Sequence, residues 1–413
     1  MTSKNIFTNE ILKYFLYLLP VFIIIGNAIT NSTLFIVFLI YIYHCIKEKK
    51  FLFIESNEFK LFFILYLYLL FNSLLSGNLE SILRSIGYLK FFIFVLVYKN
   101  FIETKKINLQ KLGFVWLVII LLLGLDIIFQ ALYGFNTLKF ISAIKNRNSG
   151  FFMDELVAGA FLLSFAFNIY FLIFKKKNNL IMFFYLTFFL IVIFLTGERA
   201  NFIKFIFIYF CIYIFIAKLN IKYSWTILIA PLIVFFLLNN ISSFKERYLS
   251  SISFASKNNL SILNTYLTSE YGSHTISSLY ILKDNLFFGV GTKNFRNSCD
   301  EYSTYVIEFQ KKIVLNNGEV YPSGCATHPH QIYNELLSEH GLLGTFFFLF
   351  IFYKLLFKNF RKNKKINLNI VAFLYILTTF IPILPSGSFF SSLNSILFWI
   401  NFLFYNIKLR RDE

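Results

Sequence analysis

The chain is short of charge, glycine, proline and cysteine. Of its 413 residues only 15% are charged, against about a quarter in ordinary soluble domains, and this argues against a soluble globular protein. Seventeen Gly and six Pro exclude a collagen-like or Pro/Gly-rich disordered chain, and four Cys are too few for a disulfide-stapled secreted scaffold. Acidic residues are scarce too, with 21 Asp and Glu against 39 Lys and Arg, a net charge of +18. What fills the space is apolar. Hydrophobic residues make up 57% of the chain, 58 of them Phe, and the mean hydropathy is +0.66. The class that fits is a polytopic membrane protein, all-α, whose solvent is the bilayer.

Apolar runs, most of them long enough to cross about 30 Å of hydrocarbon as helices, recur near 11–29, 32–46, 59–76, 84–99, 112–133, 156–174, 179–196, 201–217, 224–242, 341–357, 367–384 and 391–407. The first lacks the small-residue cleavage site of a signal peptide and reads as an uncleaved span. Basic residues fall in alternate connections: Lys47, Lys49 and Lys50; Lys99, Lys105, Lys106 and Lys111; Lys175, Lys176 and Lys177; Lys218 and Lys222; Lys358, Arg361, Lys362, Lys364 and Lys365; and Lys408, Arg410 and Arg411 in the tail. That alternation predicts about twelve helices with both termini cytoplasmic, and it assigns the positive charge to membrane orientation rather than to nucleic acid. Three regions follow: helices one to nine over 1–243, a large outer loop over 244–340, and helices ten to twelve with a cytoplasmic tail over 341–413. Within the loop, Ile276, Leu279, Tyr280 and Lys283 are spaced for an amphipathic helix at the membrane surface.

Cys45 and Cys211 fall in or beside apolar runs, whereas Cys299 and Cys325 share the outer loop. In an oxidising compartment that pair is expected to close a loop of about 25 residues, constraining the unfolded chain by roughly 3–4 kcal/mol. Two free thiols are the alternative.

Only eight residues are Arg, and Arg84, Arg147, Arg199, Arg247 and Arg296 fall on the outer side, against the orienting bias. The guanidinium fork grips phosphate or carboxylate oxygens two at a time, so this distribution points to an anionic ligand at the outer boundary. Pairing with Asp154, Glu155, Glu198 or Glu246, or interfacial anchoring, is the simpler reading for any one of them. Arg199 stands out, in the short turn Thr196-Gly197-Glu198-Arg199-Ala200 between two apolar runs.

The densest polar stretch is Cys325-Ala326-Thr327-His328-Pro329-His330-Gln331-Ile332-Tyr333-Asn334-Glu335-Leu336-Leu337-Ser338-Glu339-His340-Gly341-Leu342-Leu343-Gly344. Pro329 suits a first helical position, predicting a helix capped by His328 that runs on into the tenth span. His330 would then sit in the first turn, where the helix dipole opposes protonation and keeps the imidazole neutral, as a general base requires. His330, Asn334, Leu337, Gly341 and Gly344 would share one face, the glycines permitting close helix approach. Two alternatives stay open: zinc held by Cys325, His328 and His330, and a merely helix-terminal His330.

The stretch from His330 to Gly344 resembles a His-[Asn/Gln]-x-Tyr-x-Glu-x-Leu-x-Glu-x-Gly-x-x-Gly signature of the O-antigen ligase and O-antigen polymerase superfamily, bacterial polytopic glycosyltransferases. Further similarities are the Thr196–Ala200 turn, Asp284-Asn285-Leu286-Phe287-Phe288-Gly289-Val290-Gly291 with Lys293-Asn294-Phe295-Arg296, and Arg147-Asn148-Ser149-Gly150-Phe151-Phe152 followed by Asp154-Glu155. The resemblance implies transfer of a glycan from undecaprenyl diphosphate to an acceptor hydroxyl, a lipid A core sugar or another glycan, at the periplasmic face of the inner membrane. It implies no cofactor, metal or nucleotide sugar. By analogy His330 is the general base, and Arg199, Arg296 and Arg147 bind the donor diphosphate. His328, Tyr333 and Glu339 are supporting residues. Where relatives carry an Arg before the Gly-x-Gly element this chain has His274, so Arg296 or Arg247 would supply the missing charge. A ligase acting on lipid A core is favoured by the Thr-His-Pro-His lead; a polymerase or a protein O-oligosaccharyltransferase is the same chemistry with another acceptor. A lipid-linked glycan flippase, the alternative from another class, would be expected to carry charge along a central path through its spans.

Overall fold

The computed structural model describes residues 3–48, 57–142, 144, 146–174, 179–217, 232, 236, 239, 245, 248, 261–314, 324–360, 367–382 and 384–408. Every regular element among them is helical. The expected ninth span near 224–242, Arg247, and the basic residues Lys49, Lys50, Lys175–Lys177, Lys218, Lys222, 361–365, Arg410 and Arg411 lie wholly or almost wholly outside these residues.

The run expected as a single first span is two helices, α1 (Ser3–Tyr17) and α2 (Leu19–Ile25). The break follows from Pro20, which has no N–H to give to the carbonyl four residues back. That carbonyl, Leu16 O, instead accepts from Trp116 Nε1 at 3.1 Å. Next come α3 (Asn27–Glu48), α4 (Asn57–Ser76), α5 (Leu79–Glu103), α6 (Leu109–Tyr133), α7 (Ala158–Ile173), α8 (Asn179–Leu195) and α9 (Arg199–Ala217). The outer-loop region contributes α10 (Ile262–Leu267), α11 (Glu270–Asp284), α12 (Phe295–Ser298) and α13 (Ser303–Val314), and the chain closes with α14 (Ile332–Phe360), α15 (Leu368–Thr379) and α16 (Ser392–Asn406). Asn78, Asn108, Ser269, Asn367 and Ser391 cap their helices through side-chain oxygens.

Five helices, Asn27–Lys47, Asn57–Ser76, Leu79–Glu103, Leu109–Tyr133 and Ile332–Phe357, are long and apolar enough to cross a bilayer, and Ala158–Ile173, Leu180–Leu195 and Leu368–Thr379 are shorter apolar helices. Helix α6 shows how lipid and protein divide such a helix. Phe114, Val118, Leu122 and Leu125 form an exposed apolar stripe, while Leu112, Trp116, Ile120, Leu123 and Ile127 on the other side are fully buried. A helix apolar on both faces suits a lipid solvent, not water. The protein is thus an all-helical, multi-pass membrane chain. Its core is aromatic: Trp399 meets Phe62, Phe92 and Phe398 edge-on at centroid distances of 5.4, 5.0 and 5.3 Å, and its Nε1 donates to Tyr88 OH at 3.1 Å. Asn168 and Asn401 clamp α7 to α16 by a 2.6 Å hydrogen bond, and Asn401 also donates to Ser164 Oγ at 2.8 Å.

Helix α14 is broken at Gly341, whose φ is 65° and ψ −170°. In an unbroken helix the carbonyls of Ser338 and Glu339 would take the N–H groups of Leu342 and Leu343. Instead they accept from Val290 and Gly291 at 3.0 and 2.8 Å, while Leu342 and Leu343 donate to Leu286 and Phe287 at 2.9 and 3.2 Å. The segment 286–291 is thus inserted into the break and satisfies each freed group. A Cβ on Gly341 would strike the Phe287 backbone, and one on Gly289 (φ 64°) would lie 2.5 Å from the Glu339 and His340 backbone. The Gly-x-Gly element and Gly341, the first glycine of the signature's closing Gly-x-x-Gly, are therefore two halves of one joint. Gly344 in turn lets Tyr68 of α4 approach, and Tyr68 OH donates to His340 O at 3.2 Å.

The expected helix through Ile276 is α11, but its buried face differs from the expected apolar one. Leu279 is 51% exposed, and the buried positions are Gly272, Ser273, His274, Ile276, Ser277, Ser278 and Ile281. Ser273 and Ser278 bond back to carbonyls of their own helix, while Ser277 Oγ donates to Gly324 O and the neighbouring Thr275 Oγ1 accepts from Asn334 Nδ2, both at 2.7 Å. These small polar groups bring α11 against the start of α14.

Candidate active site

The helix expected to start at Pro329 starts at Ile332. Gln331, not His328, is its cap: its carbonyl accepts from Glu335 N–H and its Oε1 from Asn334 N–H, each at 2.9 Å. The reason lies in His330, whose φ of 53° is left-handed and incompatible with the helix. The chain holds that conformation from outside, since Ser386 N–H donates to His330 O at 2.7 Å. His330 therefore sits just before the helix rather than in its first turn, and its neutrality has another source.

That source is a cluster of rings. The imidazole of His330 lies 4.0 Å from that of His328 and 5.2 Å from that of His274, stacked on the latter at 25°, with Tyr271 edge-on at 5.7 Å. Burial lowers the pKa of His330, opposed by the Glu270 charge. Burial, then the charge of His330, pushes His274 down to about 4. His328 falls to about 3 through burial first and then the charges of His330, Lys293 and His274. His330 and His328 are both partly exposed, whereas His274 is buried, its Nδ1 with no hydrogen-bond partner among the described residues. A partly exposed neutral imidazole among neutral neighbours can accept a proton from a hydroxyl.

A second corner gathers cations. Gly197 (φ 69°) leaves no room for a Cβ against Asn146 O, and Asn148 bonds to Thr196 O at 3.3 Å and Leu195 O at 2.6 Å. Segment 146–150 is thereby laid on the α8–α9 turn. Arg147 reaches Leu156 O at 3.2 Å, with its Nε buried, and faces Glu198. Glu198 is raised by burial, offset by hydrogen bonds and the Arg147 charge; it accepts from Gly159 N–H at 2.7 Å and from Asn201 Nδ2 at 2.6 Å. Arg199, first residue of α9, is partly exposed beside it.

The structure thus gathers His274, His328 and His330 in one group, and Arg147 and Arg199 at one turn. Arg296 has a different anion, Glu80 at 3.9 Å, which Arg84 also holds at 3.0 Å. Tyr333 OH donates to Phe380 O at 2.9 Å, and Glu339, fully buried, accepts from Lys293 N–H at 2.6 Å. Both therefore hold the frame. Cys299 and Cys325 are joined in a disulfide with Cα atoms 5.0 Å apart. Cys325 in that bond offers no thiolate, so the set Cys325, His328 and His330 lacks a ligand for zinc, as does the neighbouring set Cys299, Asp300 and Cys325.

Sequence reasoning missed the α15–α16 connection. Its residues 384–390 form a strap across the site, latched by Glu335, which accepts from Ser388 Oγ and from Phe389 N–H at 2.7 Å; Lys293 Nζ donates to Ser388 Oγ at 2.8 Å. On the other side Lys204 Nζ reaches Pro385 O at 3.4 Å. Lys204 did carry a signal, as the single charge in the apolar run 201–217.

Residues 183–349 match the family model described as O-antigen ligase, a stretch that takes in the Arg199 turn, His274, the Gly-x-Gly joint and His330. No curated protein matches the chain. That domain match, over about two fifths of the chain, and the motifs it spans support membership of the O-antigen ligase and polymerase superfamily.

Proposed function

We propose that the protein is an O-antigen ligase-like glycosyltransferase of the bacterial inner membrane, which moves a glycan from undecaprenyl diphosphate to a hydroxyl of the lipid A core. The single observation that carries this is the partly exposed, neutral His330 in its ring cluster, within the segment matched to the family. The alternation of basic connections supports a topology with both termini in the cytoplasm, about twelve spans and region 244–340 in the periplasm. There His330 takes the acceptor hydroxyl proton as the oxygen attacks the anomeric carbon. The bond to the diphosphate breaks on the opposite side, its electron pair leaves with the phosphate oxygen, and Arg199 and Arg147 stabilise that charge. One displacement inverts the anomeric centre, and no cofactor or metal takes part.

The acceptor is tested by the lipopolysaccharide gel of a deletion strain. Loss of all polymer from the core, restored by the intact chain, is the expected result. A ladder stopping at one repeat would make the protein a polymerase instead, and an unchanged pattern with unglycosylated protein would make it a protein O-oligosaccharyltransferase.

A further inference from the structure

Lys204 stands five residues along α9 from Arg199 and is 6% exposed. A buried ammonium has three N–H donors and no acceptor, and removing it from water is expensive unless it is paired. Among the described residues its one hydrogen bond is to Pro385 O at 3.4 Å, long for such a contact. Glu198 is its acidic neighbour, but Glu198 already accepts from Gly159 and Asn201 and shares its charge with Arg147. Among the described residues Glu198 thus lies beside both Arg147 and Lys204. The same strap ties Lys204 to the histidines. The Pro385–Ser386 peptide accepts from Lys204 through its carbonyl and donates to His330 O through its N–H, so one peptide group separates the ammonium from the His330 backbone.

We propose that Lys204 is a phosphate ligand whose unused N–H groups bind the diphosphate of the lipid-linked donor. The inference rests on the transfer reading above. It also gives the strap a purpose, since Pro385 O occupies one donor of the ammonium and aims the other two away from itself.

The test uses the full chain in nanodiscs, as wild type, Lys204→Met and Lys204→Arg. Binding of undecaprenyl diphosphate, of undecaprenol and of inorganic diphosphate is measured beside KM for glycosylated donor and for acceptor. Lys204→Met is expected to weaken undecaprenyl diphosphate binding and raise donor KM about 10- to 100-fold, with undecaprenol binding and acceptor KM unchanged. Lys204→Arg should recover part of the loss. Inorganic diphosphate that binds wild type as tightly as the lipid would make this a free-anion site and overturn the assignment to the donor. Unchanged diphosphate binding in Lys204→Met, or a change confined to acceptor KM, would overturn the inference while leaving the transfer reading intact. A wild type that binds undecaprenol as tightly as the diphosphate would overturn both.

Discussion

Replacing His330 with Ala is expected to lower glycan transfer by about 10²–10⁴-fold, the usual contribution of a general base. His330→Asn should lose as much. Asn tolerates the left-handed backbone that His330 adopts at φ 53°, so this variant keeps the loop and removes the base. The pH dependence separates a base from a structural ring. Burial lowers the His330 pKa, so the working neutral form persists through the ordinary histidine range near 6.5. Transfer should stay level as pH falls through that range and drop only below it, when the ring gains its proton. An acid limb at or above 6.5, or near-normal activity in either variant, would remove His330 from the mechanism.

Arg199→Ala is expected to reduce transfer by about 10²–10³-fold, the scale seen when a group stabilising developing negative charge is removed. Arg199→Lys should recover less than about a tenth of the activity. An ammonium is a point charge, whereas the guanidinium holds two oxygens in fixed geometry. The position favours a local effect: Arg199 is the first residue of α9, partly exposed, and the packing of the turn is carried by Gly197, Glu198 and Asn148. Membrane levels of each variant, read beside transfer rates, check this. A Lys variant as active as wild type would show that charge alone suffices there.

The helices were legible because lipid imposes one rule, some twenty apolar residues per crossing, and α3 to α9 fall within a few residues of the runs that announce them. The failures have local causes. Pro20 divides the first run, and a donor for Leu16 O had to come from Trp116, a hundred residues away. His330 reads as helical by its neighbours, but Ser386 fixes its backbone in a conformation no local propensity favours. The histidine and arginine segments could be found by residue type. Their union could not, because it runs through the strap at 384–390, whose Pro, Gly and Ser look like any connection between spans. The glycines of Gly289-Val290-Gly291 and Gly341 were visible as a motif, but their reason, the exchange of hydrogen bonds between 286–291 and the broken α14, needs both segments in view.

The most direct test of the account is transfer by the purified chain in nanodiscs, with an undecaprenyl diphosphate-linked glycan, a lipid A core acceptor and chelator present, followed by NMR of the new linkage. One undecaprenyl diphosphate is expected to be released per glycan transferred, with an anomeric configuration opposite to the donor's and a rate indifferent to the chelator. A linkage with the donor's configuration retained, or carrier crossing the bilayer without any new glycosidic bond, would contradict it.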